Sequence, residues 1–170
     1  MTAKESLIFG TAGTPISSNA PSTQAGIERI HELGLGCMEV EFVQGVKMSP
    51  QVAVSVGELA AKKKVVLTAH GPYFVNLNAV EPQKVYMSKE RIFQTARIAA
   101  LFGAKSITFH AAFYLKSTPA ETYAAVKRHL QEVVNTLRRE GNKVTISPKV
   151  TGKPSQFGTL EEILQLGSEI

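Results

Sequence analysis

His70 closes the run VVLTAH and His110 closes SITFH, so two short apolar stretches carry a histidine at the same C-terminal place. Neighbouring parallel strands lie about 4.8 Å apart, and imidazoles at matched positions on such strands have the spacing to share a divalent metal. Neutral imidazole suits Zn²⁺; the plainer alternative is a pair of loop histidines hydrogen-bonded to backbone. Glu39 and Glu41 are the carboxylates able to join them, or else to form a buried ion pair or a solvated mouth. A third run, VTISPKVTG at 144–152, puts Lys149 at the equivalent place. An ammonium there either repels a dication or occupies the metal's place and holds Glu39, Glu41 or a substrate anion. All 14 acidic residues are glutamates, so a Ser-His-Asp triad, an aspartyl dyad and aspartate metal ligands are excluded within these residues.

These side chains are set by a repeated strand–helix unit. β-Branched runs at 7–12, 37–43, 65–70, 106–111 and 144–147 alternate with helical patterns at 22–34, 50–64, 88–103, 118–141 and 159–170. Ser22 is placed to cap the first helix and Gly34 to end it, while Thr118 and Pro119 form a cap and first-turn pair. The strand starts recur at the period of a βα unit in a parallel sheet. The chain reads as one domain over residues 1–170, without a linker or low-complexity segment.

Side chains alternate faces along a strand. One face therefore carries Glu39 and Glu41, Thr68 and His70, Thr108 and His110, and Ser147 and Lys149. The other carries Met38, Val40, Phe42, Leu67, Ile107, Phe109, Val144 and Ile146. An open sheet sandwiched between helices should be apolar on both faces. A (β/α) barrel of TIM type, with a polar interior opening at the strands' C-terminal ends, explains the asymmetry better. That fold has about eight units and five are legible here. The chain is thus expected to be a partial barrel: a piece of a longer protein, one covered by another chain such as a second copy, or a natural truncation.

Composition narrows the setting. The chain has 170 residues, 44% of them hydrophobic, enough to bury one sizeable core. No apolar run reaches the length of a membrane span, and Met1 opens no signal-peptide pattern. Cys37 is the single cysteine; it reads as a buried structural thiol and, with no intramolecular disulfide possible, fits a reducing cytoplasmic interior. A net charge of +5 suits a polyanionic partner, although the Lys62–Lys64 cluster reads as a helix C-terminus. His31 and His129 read as exposed helix residues. GTAG at 10–13 lacks the third glycine and acidic follower of a dinucleotide fingerprint, and SPKVTGKPS has proline where a phosphate-binding P-loop needs Ser or Thr.

TAHGPYFVNLNA (68–79), ITFHAAFY (107–114), MEVEFVQGV (38–46) and TGKPSQFGTLEEIL (151–164) resemble segments of the endonuclease IV family, within the xylose-isomerase-like barrel superfamily. Archaeal-type members are the most similar, and the resemblance spans about the first five of that family's eight units. It implies a zinc-dependent hydrolase that cleaves DNA 5′ to abasic sites. His70 and His110 fall on two zinc-ligand positions, and Tyr73 on an aromatic used at the DNA surface. Lys149 stands where a metal-bridging glutamate is expected, in PKVTGK instead of PE-x-x-GK, so zinc loading and catalysis are expected to be crippled or absent. Within the superfamily the alternatives are a sugar isomerase or epimerase, or a non-catalytic relative that binds nucleic acid or a partner chain.

Overall fold

The computed structural model describes residues 7–170; the reading at Met1 lies outside them. Among the described residues the elements follow one another as β1 (Gly10–Ala12), α1 (Thr23–Glu32), β2 (Cys37–Glu41), α2 (Pro50–Lys63), β3 (Val66–His70), α3 (Pro82–Leu101), β4 (Ser106–Phe109), β5 (Ala112–Phe113), α4 (Pro119–Arg139), β6 (Thr145–Pro148), β7 (Gln156–Phe157) and α5 (Leu160–Glu169). The sheet runs β1-β2-β3-β4-β6 with every pair parallel. This is the α/β, barrel-type unit series that the alternation predicts.

The period-2 pattern becomes two physically different faces. Met38, Val40, Leu67, Ala69, Ile107 and Phe109 are buried beneath the helices, while Cys37, Glu39 and Glu41 between them stay half-buried. Cys37 is therefore less enclosed than the expected structural thiol. The helices return Ile27, Ile30, Val56, Ile92, Ala96, Val126, Leu130 and Val133 to the same core. Burying a side chain of this size stabilises the fold by about 1.5–3 kcal/mol. The packing thins at the β6 end: Val144 and Ile146 are only half-buried, and with Leu130, Leu137 and Leu166 they border a cavity of about 580 Å³.

Helix boundaries follow their caps. Ser22, Ser49, Thr118 and Thr159 each accept a hydrogen bond from a first-turn amide. Lys62 and Lys63 lie in the last turn of α2, which supports the helix-end reading of that cluster. The third helix begins at Pro82, six residues before the sequence pattern suggests. Ser88, where that pattern starts, is an interior residue whose hydroxyl donates to the Lys84 carbonyl at 2.7 Å and accepts from the Asn76 amide at 2.9 Å. At α4, Thr118 and Glu121 form a reciprocal capping box. Thr118→Ala is expected to lower stability by about 1 kcal/mol, read as a lower denaturant midpoint with unchanged slope; an unchanged midpoint would mean the box contributes nothing.

The feature outside the sequence pattern is a second, antiparallel pair. β5 lies against β7, with Ala112 opposite Phe157 and Phe113 opposite Gln156. It ties the segment after β4 to the segment after β6.

Candidate functional site

Strand register places the polar residues in rows. Glu41, His70, Thr108 and Ser147 are successive neighbours across β2, β3, β4 and β6. His70 therefore faces Thr108, and His110 lies two residues further along the chain, just past the end of β4. The expected matched register of the two histidines does not hold, because strands of a barrel-type sheet are staggered. One step beyond that row, Phe109 pairs with Pro148 and the Lys149 amide donates to the Phe109 carbonyl at 2.9 Å. Lys149 thus stands opposite His110.

The histidines still meet. Their ring centroids are 6.1 Å apart with the planes tilted by 56°. His70 is 4% exposed, and its Nδ1 lies 2.7 Å from the Gly71 carbonyl oxygen. A carbonyl only accepts, so this contact assigns the proton to Nδ1 and leaves the Nε2 lone pair free. His110 is half-buried, with an Nδ1 atom that is shielded from solvent and has no partner among the described residues. Burial first, and then the charges of His70, Lys149 and Lys153, push its pKa below the ordinary histidine value. Neutral imidazole is the form that ligates metals or donates a hydrogen bond without charge.

Around this pair the groups differ in kind. Glu39 accepts from the Thr108 hydroxyl at 3.1 Å. Burial and a hydrogen bond with Glu39 push the Glu41 carboxyl above its usual range, against the opposing charges of His70 and Lys149. Tyr73 is 57% exposed and stands edge-on to His70 at 5.7 Å. Lys149 is exposed and, among the described residues, lies within ion-pair distance of no carboxylate. The other histidines are remote: His31 is exposed on α1, whereas His129 on α4 is half-buried and not exposed as expected. Burial and Arg128 lower the pKa of His129.

Sequence reasoning missed Lys153 and the frame that holds it. The Thr151 amide donates to the Gly158 carbonyl at 2.9 Å, and the Gln156 amide donates to the Lys153 carbonyl at 2.9 Å. The Thr151 hydroxyl donates to the Gln156 side-chain oxygen at 3.0 Å and accepts from the Lys153 amide at 3.3 Å. Gly158 has a φ of +135°, and a Cβ there would sit 2.7 Å from the Lys149 carbonyl oxygen, so only glycine fits. Phe157 is fully buried, with Tyr114 and Tyr123 each 6.3 Å away. The one signal for Lys153 is its place four residues after Lys149, in a segment that does not qualify as a P-loop.

The donor chemistry decides whether a metal fits. Two neutral imidazoles supply two of the four bonds of a tetrahedral zinc. Among the described residues no group of three His, Cys, Asp or Glu side chains converges, and the next position on this face is an ammonium. The residues present do not by themselves fit a catalytic divalent ion.

Comparison with known proteins gives the lineage. The family described as xylose isomerase-like TIM barrel matches residues 27–170. The uncharacterized protein MJ0133 of Methanocaldococcus jannaschii is 38% identical over 164 residues, covering 96% of this chain and 58% of the relative. A probable endonuclease 4 of Symbiobacterium thermophilum is 26% identical over 168 residues, covering 93% and 58%. The chain thus spans 58% of the length of both curated relatives. Among solved structures, endonuclease IV from Thermus thermophilus superposes with a TM-score of 0.69 at 20% identity, covering 95% of this chain and 58% of that one. D-psicose 3-epimerase from Clostridium cellulolyticum superposes at 0.78 with 14% identity, covering 96% and 60%. At these identities the structural likeness shows the fold alone.

Proposed function

This chain belongs to the xylose isomerase-like TIM-barrel family, and from that premise we propose that it is an endonuclease IV-like protein that binds DNA at abasic sites and has lost hydrolysis at Lys149. The observation that carries the reading is Lys149 opposite His110 on the face that holds both histidines. Hydrolysis of a phosphodiester in this way needs a cation that generates hydroxide and stabilises charge on phosphorus. At about 4 Å and an effective dielectric near 20, an ammonium beside a dication costs on the order of 8 kcal/mol.

Binding does not share that requirement. The exposed Tyr73 ring at the mouth offers a stacking surface, worth about 1–3 kcal/mol per base. The net charge of +5 favours the phosphate backbone. The likeness to a probable endonuclease 4 supports DNA as the partner.

The test uses one labelled duplex with a single abasic site and its intact counterpart. Anisotropy is expected to show tighter, salt-sensitive binding to the abasic duplex, with no cleavage in added zinc. Equal or absent binding would overturn the DNA reading. Cleavage abolished by EDTA would overturn the loss of hydrolysis, and turnover of a ketose in place of DNA binding would move the protein to the epimerase branch.

A further inference from the structure

We propose that the cleft between α3 and α4, bordered by the loop that follows β3, binds a small organic anion with a flat apolar body, its charge met by Arg128 and its ring beside Tyr86. The cleft lies in the helix layer, so the inference is independent of the histidine face and of the abasic-DNA reading.

Three features carry it. The first is a shaped volume. The cleft holds about 450 Å³, within the range of small-molecule sites. The fully buried Leu77 and the half-buried Val85 and Ala125 make its apolar part, while Val80 and Tyr86 stand 82% and 57% exposed at its side. A flat apolar group seated here would cover surface that the fold itself leaves in water.

The second is charge of one sign. The ionisable groups on the wall are Tyr86, Lys89, Arg128 and His129, with no carboxylate among them. Carboxylates close by are already engaged: Glu132 pairs with Lys89 at 2.8 Å, Glu81 pairs with Lys84 at 2.8 Å, and Glu121 accepts from the Thr118 amide and hydroxyl. Lys89 thus has its counter-charge. Arg128 is the cation left over, for among the described residues it forms no ion pair. A guanidinium only donates, so its Nη2 donates to the His129 Nε2 at 3.2 Å. That contact holds Arg128 beside the cleft and leaves its other N–H groups for a ligand. With Nε2 accepting, the imidazole proton lies on Nδ1, which is shielded and unpartnered among the described residues.

The third is preorganisation. The Leu77 amide donates to the Ala111 carbonyl at 2.9 Å, and the Asn78 side-chain amide donates to the Phe113 carbonyl at 3.0 Å and the Thr122 hydroxyl at 3.2 Å. The Ser88 hydroxyl ties the same loop to α3 through the Asn76 amide. Loop, α3 and α4 are therefore fixed to one another, and a ligand enters a formed cleft with little ordering left to do.

A carboxylate and a phosphate ester offer the same charge, and the experiment separates them. Phenylacetate is the probe, titrated at constant ionic strength into the full chain while the amide shifts of residues 77–89 and 125–129 are followed. Saturable shifts confined to these residues are expected. Acetate, which lacks the ring, and phenylacetamide, which lacks the charge, should each bind about tenfold more weakly. Arg128→Gln should weaken phenylacetate about tenfold and leave phenylacetamide unchanged, whereas Tyr86→Ala should weaken both about fivefold. Both residues are exposed, so neither change should move the thermal midpoint. Phenyl phosphate binding more tightly than phenylacetate would uphold the site and assign a phosphate ester; the reverse order would assign a carboxylate. No shifts with either anion, shifts spread over the surface, or phenylacetamide binding as tightly as phenylacetate would overturn the proposal. It would equally be overturned if Arg128→Gln weakened abasic-duplex binding while the parent ignored both aromatic anions, since the cation would then serve DNA.

Discussion

Lys149→Glu is expected to raise zinc retention through gel filtration to about one ion per chain. The substitution acts twice. It removes a repulsion on the order of 8 kcal/mol at contact in an environment of effective dielectric near 20, and it adds a carboxylate to the two imidazoles, giving the three protein ligands of an open zinc site. The histidines already adjoin: their centroids are 6.1 Å apart, and the Gly71 carbonyl holds His70 in the tautomer with a free Nε2. A gain in zinc affinity of at least a hundredfold, about 2.7 kcal/mol, is therefore a lower bound. Lys149→Met separates the two actions, since it removes the charge without adding a donor; it should give a smaller gain. Elemental analysis after incubation with zinc reads both. If neither variant takes up more metal than the parent, Lys149 does not belong to the histidine site.

The largest stability loss is expected from Phe157→Ala. The side chain is fully buried between the rings of Tyr114 and Tyr123. Removing it costs about 3–5 kcal/mol in transfer and cavity terms, including aromatic contacts worth about 0.5–1.5 kcal/mol each. Those rings are themselves held at their far ends. The Tyr114 hydroxyl donates to Glu162 at 2.9 Å and the Tyr123 hydroxyl to Glu169 at 2.6 Å, so the surroundings cannot easily collapse into the space. Denaturant unfolding should show a large fall in midpoint. Hydrogen exchange in the folded variant should speed first at Thr151 and Gln156, whose amides bond within the loop. A loss below about 1 kcal/mol, small against the usual range for such truncations, would show that β7 is not the anchor. A normal midpoint with fast loop exchange would restrict the anchoring to the loop.

The sheet was legible in the sequence because its two faces differ in chemistry residue by residue. Met38 and Val40 alternate with Glu39 and Glu41, and the structure buries the first pair and leaves the second half-buried. The caps at Ser49 and Thr159 were seen only in the structure, whereas the helix starts were legible at Ser22 and Thr118, whose hydroxyls read as caps and do cap their helices. They were not legible at α3, whose N-cap Glu81 makes no side-chain bond; Pro82 was the available signal, and Ser88 drew attention from it. The relative height of His70 and His110 depends on stagger between strands, which no single strand encodes. The β5–β7 pair has only two residues on each side, joined across more than 40 positions, too short to leave a periodic pattern. Lys149 could be singled out from spacing, but its partner Lys153 needed the folded loop.

The backbone around Lys149 is held by groups other than its own side chain. Its amide bonds to Phe109, its carbonyl is approached by Gly158, and Phe157 anchors the turn beyond. Such a frame is indifferent to which side chain position 149 carries. The codons for lysine and glutamate differ at their first base alone, so the two side chains lie a single point mutation apart at position 149. Exchange of the side chain at this position therefore leaves the fold that carries it in place.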